Sequence, residues 1–192
     1  MSETDSHTPL ALAEAAGGDD EPNGREPWLR FALIFGVLAV ASEAFYYALA
    51  LGSGGFQVYL SLLAQISGAF LSLFEGDVTV NGARISNLLF SVEVAQGCDA
   101  IQVCSLLAAA MIAFPVGLRR KLRGLVLGIL WLQILNLLRI ITLFWIGAHF
   151  SHAFQTAHED VWPGILITVT IATWILWVRW ETQPAQHLDH AA

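Results

Sequence analysis

Residues Leu125 to Ala148 read LVLGILWLQILNLLRIITLFWIGA, an apolar run interrupted by a single charge, Arg139. About 20 such residues carry an α-helix across a hydrocarbon core of about 30 Å, so the run predicts a transmembrane helix. A charged side chain inside such a helix costs on the order of 3 kcal/mol on insertion scales unless a polar partner meets it. The guanidinium of Arg139 is therefore expected to face a site. Gln133, Asn136 and Arg139 follow one another at i+3 spacing and share one side of the helix.

Composition extends this reading to the whole chain. Hydrophobic residues make up 56% of the 192 and charged residues 13%, with a mean hydropathy of +0.60. That is too apolar and too sparsely charged for an ordinary soluble domain, and it predicts an integral membrane protein. The formal charge of -7 comes largely from Glu3, Asp5, Glu14, Asp19, Asp20, Glu21 and Glu26. Residues 1–27 accordingly read as a disordered acidic tail, without the basic start and early apolar core of a signal peptide. Residues 28–180 read as the membrane domain and residues 181–192 as a polar C-terminal tail. There is no basic surface to recruit nucleic acid. The two cysteines, Cys98 and Cys104, would lie about 9 Å apart along one helix, beyond disulfide reach, so free thiols are expected.

Working outward from 125–148, three further spans are expected at Trp28–Leu51, Ala100–Leu118 and Trp162–Val178. The stretch Phe56–Phe74 differs, because Gln57, Ser61, Gln65 and Ser72 fall on one helical face and leave the other apolar. It reads as an amphipathic helix on the outer face or as a fifth span. Arg119, Arg120, Lys121 and Arg123 crowd the link between the second and third spans and place it in the cytoplasm. Ahead of Cys98, Asn81-Gly82 flanked by alternating β-branched residues signals a hairpin, and Phe90–Val94 can add a third strand. The fold class is thus an all-α polytopic membrane protein with a small extracytoplasmic β element.

This topology brings three reactive groups to the outer leaflet. Cys98, in Gln-Gly-Cys-Asp-Ala, stands at the outer N-terminus of the second span, where the helix dipole favours thiolate and Asp99 opposes it. Arg139 lies nine residues, or about 13 Å, below the outer end of its helix. His158, in His-Glu-Asp-Val-Trp-Pro-Gly, is placed on the outer loop before the last span. A thiol, a guanidinium and an imidazole suit acyl transfer: the sulfur attacks a peptide carbonyl, the cation stabilises the oxyanion, and the imidazole handles the proton. Such chemistry calls for a thiolate–imidazolium pair. The spacings of His149, His152 and His158 give no second ligand cluster, so no metal and no cofactor are expected.

The runs VEVAQGCDA, NLLRI and AHEDVWPG, in that order around the basic turn, resemble the exosortase and archaeosortase family of membrane transpeptidases, and most resemble its exosortase H group. The resemblance covers Trp28 to Trp180. It implies that Cys98 is the nucleophile, that Arg139 is the arginine of the N-x-x-R motif, and that His158 is the histidine. It implies substrates that are secreted proteins with a tripartite C-terminal sorting signal: a short motif, a transmembrane helix and a basic tail, of the IPTLxxWG-CTERM type. It implies residence in the bacterial cytoplasmic (inner) membrane with the site toward the extracytoplasmic face. The commonest family pattern at the cysteine is C-[SA]-G, whereas this chain has Cys98-Asp99-Ala100. Asn136, Gln57 and Gln65 are the expected substrate-binding residues, the polar stripe at 57–72 offering a groove for the substrate's own helix. The rival reading is a non-enzymatic transporter or structural subunit in which Arg139 pairs with Glu43 or an anion.

Overall fold

The computed structural model describes residues 26–52 and 54–183. The tails expected over residues 1–25 and 184–192 lie outside the described residues. In chain order the elements are α1 (Glu26–Gly52), α2 (Gly54–Leu71), β1 (Thr79–Asn81), β2 (Arg84–Ser86), β3 (Ser91–Glu93), α3 (Ile101–Ala113), α4 (Leu118–His149), α5 (Ser151–Thr156), a π-helical turn (Ala157–Val161) and α6 (Trp162–Thr182). Four helices are long and apolar enough to cross a membrane: α1, α2, α4 and the continuous helical stretch from Ser151 to Thr182. Leu33, Val37 and Val40 on α1, with Ile167 and Ile171 on α6, stay exposed. Lipid is the solvent such a surface calls for.

The run that opened the reading is the axis of the molecule. α4 extends for 32 residues, about 48 Å at 1.5 Å per residue. Its Gly124 and Gly128 stand where a Cβ would strike the Trp177 indole and Leu107. Small residues at these crossings let α3 and α6 close onto α4. Cys104, Leu107, Met111, Leu132 and Trp177 fill the resulting core. Arg120 at the start of α4 lies 3.6 Å from Glu181 at the end of α6, so the basic cluster and the last helix end at the same level.

α3 corrects an expectation. The span over Ala100–Leu118 is a helix of 13 residues, about 20 Å long, well short of the hydrocarbon thickness. Pro115 explains its end: a residue before proline is pushed out of the helical region, and Phe114 is extended at φ −74°, ψ 136°. The basic residues from Arg119 onward accordingly lie in the first turns of α4, with only Phe114–Gly117 as the link.

The small sheet has antiparallel order β1-β2-β3. Asn81 pairs with Arg84 across the first turn, where Gly82 takes a left-handed φ of 59°. Ile85 on the middle strand is fully buried and joins Leu60, Leu63 and Ala64 of α2 with Ile140 and Phe144 of α4 in a second core. α2 thus turns its apolar face inward, and Gln57 and Gln65 face outward, exposed. On α4, the missing side chain of Gly147 makes room for the Phe90 ring, which locks the sheet to the C-terminal half of that helix.

Candidate active site

Arg139 is 5% exposed and is held by the chain just ahead of α3. Its Nη1 donates to the Gly97 carbonyl at 3.0 Å, and its Nη2 lies 3.8 Å from Cys98 Sγ. On the other side, Cys98 Sγ is 3.3 Å from His158 Nε2. The three groups expected at the outer leaflet therefore meet around one sulfur, from a loop, α4 and the π-helical turn. Asn136, one turn below Arg139, donates its Nδ2 to the Cys98 carbonyl at 2.9 Å. Its Oδ1 is buried and unpartnered among the described residues. Gln57 and Gln65 are on the outward face of α2, away from this cluster.

Glu43 does not pair with Arg139 among the described residues. Its carboxylate accepts from Gln102 Nε2 at 3.0 Å. Both Glu43 and Arg139 border a cavity of about 320 Å³ between α1, α3 and α6, lined further by Pro163 and Leu166.

The loop that presents the thiol is tightly specified. Gly97 and Ala100 both have left-handed backbones, with φ of 89° and 59°. Between them Asp99 is 1% exposed. Its Oδ2 accepts from Tyr46 Oη at 2.7 Å and from the Gly97 N–H at 3.2 Å, and its Oδ1 accepts from the Ile101 N–H at 2.7 Å. The Asp99 carbonyl accepts from Tyr59 Oη at 2.9 Å, and Gln133 Nε2 donates to the same hydroxyl at 2.8 Å. α3 starts only at Ile101, so Asp99, not Cys98, takes its first N–H. The expected help of the helix dipole for the thiolate is thus spent on a carboxylate. Burial pushes the Cys98 thiol up; Arg139 pulls it back, and Asp99 adds to the rise. That direction runs against the thiolate–imidazolium pair the chemistry called for.

His158 was expected on a loop but occupies the π-helical turn Ala157–Val161. There the Trp162 N–H reaches back five residues to the Ala157 carbonyl, and Pro163 has no N–H to restore the tighter register. Such one-turn widenings re-aim a side chain and recur at functional sites. The imidazole is backed by Phe154, whose ring lies parallel to it at 5.7 Å, and Phe154 in turn packs on Phe90 at 5.3 Å. Glu159 faces solvent with Gln155. Sequence reasoning missed Tyr46, Tyr59, Phe154 and the hydrogen bonds of the Asp99 carboxylate. The visible signal was chemical: two tyrosines in apolar helices need partners for their hydroxyls.

A multi-pass membrane protein with a thiol, an imidazole and a guanidinium clustered at one helix start is the class that fold and site define. The sequence matches the family model of the transmembrane exosortase (Exosortase_EpsH) over residues 24–177, and the chain belongs to that family. Its members are membrane transpeptidases acting on secreted proteins that carry C-terminal sorting signals. No curated protein and no solved structure matches this chain.

Proposed function

We propose that this protein cleaves C-terminal sorting signals through a thioester on Cys98 and transfers the acyl group to an acceptor. The observation that supports it best is the cysteine sulfur lying 3.3 Å from His158 Nε2 and 3.8 Å from Arg139 Nη2. As the sulfur attacks the scissile carbonyl, its proton passes to His158 Nε2. The carbonyl oxygen gains the negative charge, and Arg139 Nη2 is the donor beside it. Collapse of the tetrahedral adduct breaks the C–N bond, and His158 returns its proton to the departing amine. The second nucleophile then attacks the thioester carbonyl and gives up its proton, and the thiol is restored. Hydrolysis is the same sequence with water in that role.

Asn136, fully buried, acts on substrate binding through the Cys98 backbone that it anchors. Gln57 and Gln65, with Ser61, offer hydrogen bonds to the substrate along the outward face of α2. The sorting signal we assign is of the exosortase H type, and the site faces outward from the bacterial cytoplasmic membrane.

The test is processing of a co-expressed secreted protein bearing such a signal. Cys98→Ala should abolish processing while the protein stays inserted, and Cys98→Ser should slow it or trap an ester-linked adduct. Normal processing by Cys98→Ala would sink the proposal. The mass of the released C-terminus separates transfer from hydrolysis. Replacing Gln57 and Gln65 together with Leu should raise KM, and an unchanged KM would remove α2 from substrate binding.

A further inference from the structure

We propose that Asp99 is a positioning residue: clamped by Tyr46, its buried carboxylate holds the left-handed turn that aims the Cys98 sulfur between His158 and Arg139. This rests on Cys98 being the nucleophile. The carboxylate ties together the chain on both sides of the cysteine, taking the N–H of Gly97 before it and of Ile101 after it. Tyr46 Oη donates to the same carboxylate and accepts from the Gly97 N–H at 3.0 Å, so α1 is bolted to the loop by three mutually bonded groups. Arg139, Asn136 and Tyr59 hold the carbonyls of Gly97, Cys98 and Asp99, but of these four side chains only Asp99 takes backbone N–H groups on both sides of the cysteine. Ala100 stands at φ 59°, ψ 9°, a conformation that an L-residue with a Cβ leaves when it is free to do so. Relaxation of Ala100 would swing Cys98 relative to two partners fixed on other elements.

A charge role and a clamp role predict different things. Asp99 is a negative group next to the thiol, so as a charge it opposes thiolate formation and its removal should favour the reaction. As a clamp it is needed. Full-length enzyme in membranes is assayed with a sorting-signal substrate, and Cys98 alkylation by a maleimide is followed in a Cys104→Ala background. Asp99→Ala should lower kcat about 10- to 100-fold with KM unchanged, the size of effect that misplacing a reacting group by about 1 Å produces. Alkylation of Cys98 should not slow. Asp99→Asn keeps an acceptor for the Ile101 N–H and a bond to Tyr46, but its Nδ2 cannot accept from the Gly97 N–H, so it should recover part of the rate. Adding Ala100→Gly to Asp99→Ala should recover part of it, because glycine enters the left-handed turn without a Cβ penalty. Tyr46→Phe, which leaves Asp99 in place, should cost several-fold in kcat and serves if Asp99→Ala does not accumulate.

Unchanged kcat in Asp99→Ala would overturn the proposal. So would Asp99→Asn processing faster than wild type, the result expected of a charge that opposes the thiolate, or loss of Cys98 alkylation, which would mean collapse of the whole site. Cys98→Ala run beside them separates the two levels: if it processes substrate, the nucleophile assignment fails rather than the clamp.

Discussion

Ala100 occupies a backbone conformation that costs an L-residue about 1–2 kcal/mol, at φ 59°. Cys98-Asp99-Ala100 departs at this position from the C-[SA]-G pattern of the resemblance, and a left-handed backbone is one that glycine enters without a Cβ penalty. Ala100→Gly should therefore raise stability by about 1 kcal/mol, less the added freedom of glycine in the unfolded chain, with processing retained; thermal unfolding in detergent measures it. A second prediction concerns Cys98. Its thiol is raised by burial, and the thiolate is the form that alkylates. The alkylation rate should therefore keep climbing with pH past the ordinary thiol value of about 8.5. Arg139→Gln removes the cation that opposes the rise, so at any fixed pH near 8 alkylation should slow. A faster reaction in that variant would contradict the assigned electrostatics.

At the scale of elements, the π-helical turn, Phe154 and the sheet act together. Phe90 fits against Gly147, Phe154 rests on Phe90 and His158 rests on Phe154. Phe154→Ala should cost between about tenfold and a hundredfold in kcat by letting the imidazole drift, while Cys98 alkylation stays normal. Equal loss of both would indicate general unfolding. Much of this level was legible in sequence and some was not. The Leu125–Ala148 run and the Asn81-Gly82 turn carry strong local signals, apolar length and turn chemistry, and both elements form where those signals lie. The early end of α3 was written in Pro115, but continuous apolarity outvoted it. The π-helical turn could not be read, because His-Glu-Asp looks like a polar loop and the widening depends on Trp162 and Pro163 acting together. Asp99 was visible as a charge beside Cys98; its bond to Tyr46, 53 residues away, is tertiary and has no periodic trace.

For the molecule as a whole, the basic residues at the start of α4 and the sheet packed on its C-terminal half are expected on opposite sides of the bilayer, the basic end in the cytoplasm. In a background without Cys98 and Cys104, a cysteine at exposed Arg84 should react with an impermeant maleimide in intact cells. One at exposed Arg119 should react only after permeabilisation. The reverse pattern would invert the topology and put the site on the wrong face for exported substrates.

The shortness of α3 has a further effect. Arg139 bonds the Gly97 carbonyl, so the sulfur sits at its depth, with ten more residues of α4, about 15 Å, rising above it. Under the proposed mechanism the acyl-enzyme would form below the upper turns of α4 rather than at its end. The acceptor would then have to reach that depth too, so the ratio of transfer to hydrolysis products should follow how readily a nucleophile enters the membrane boundary.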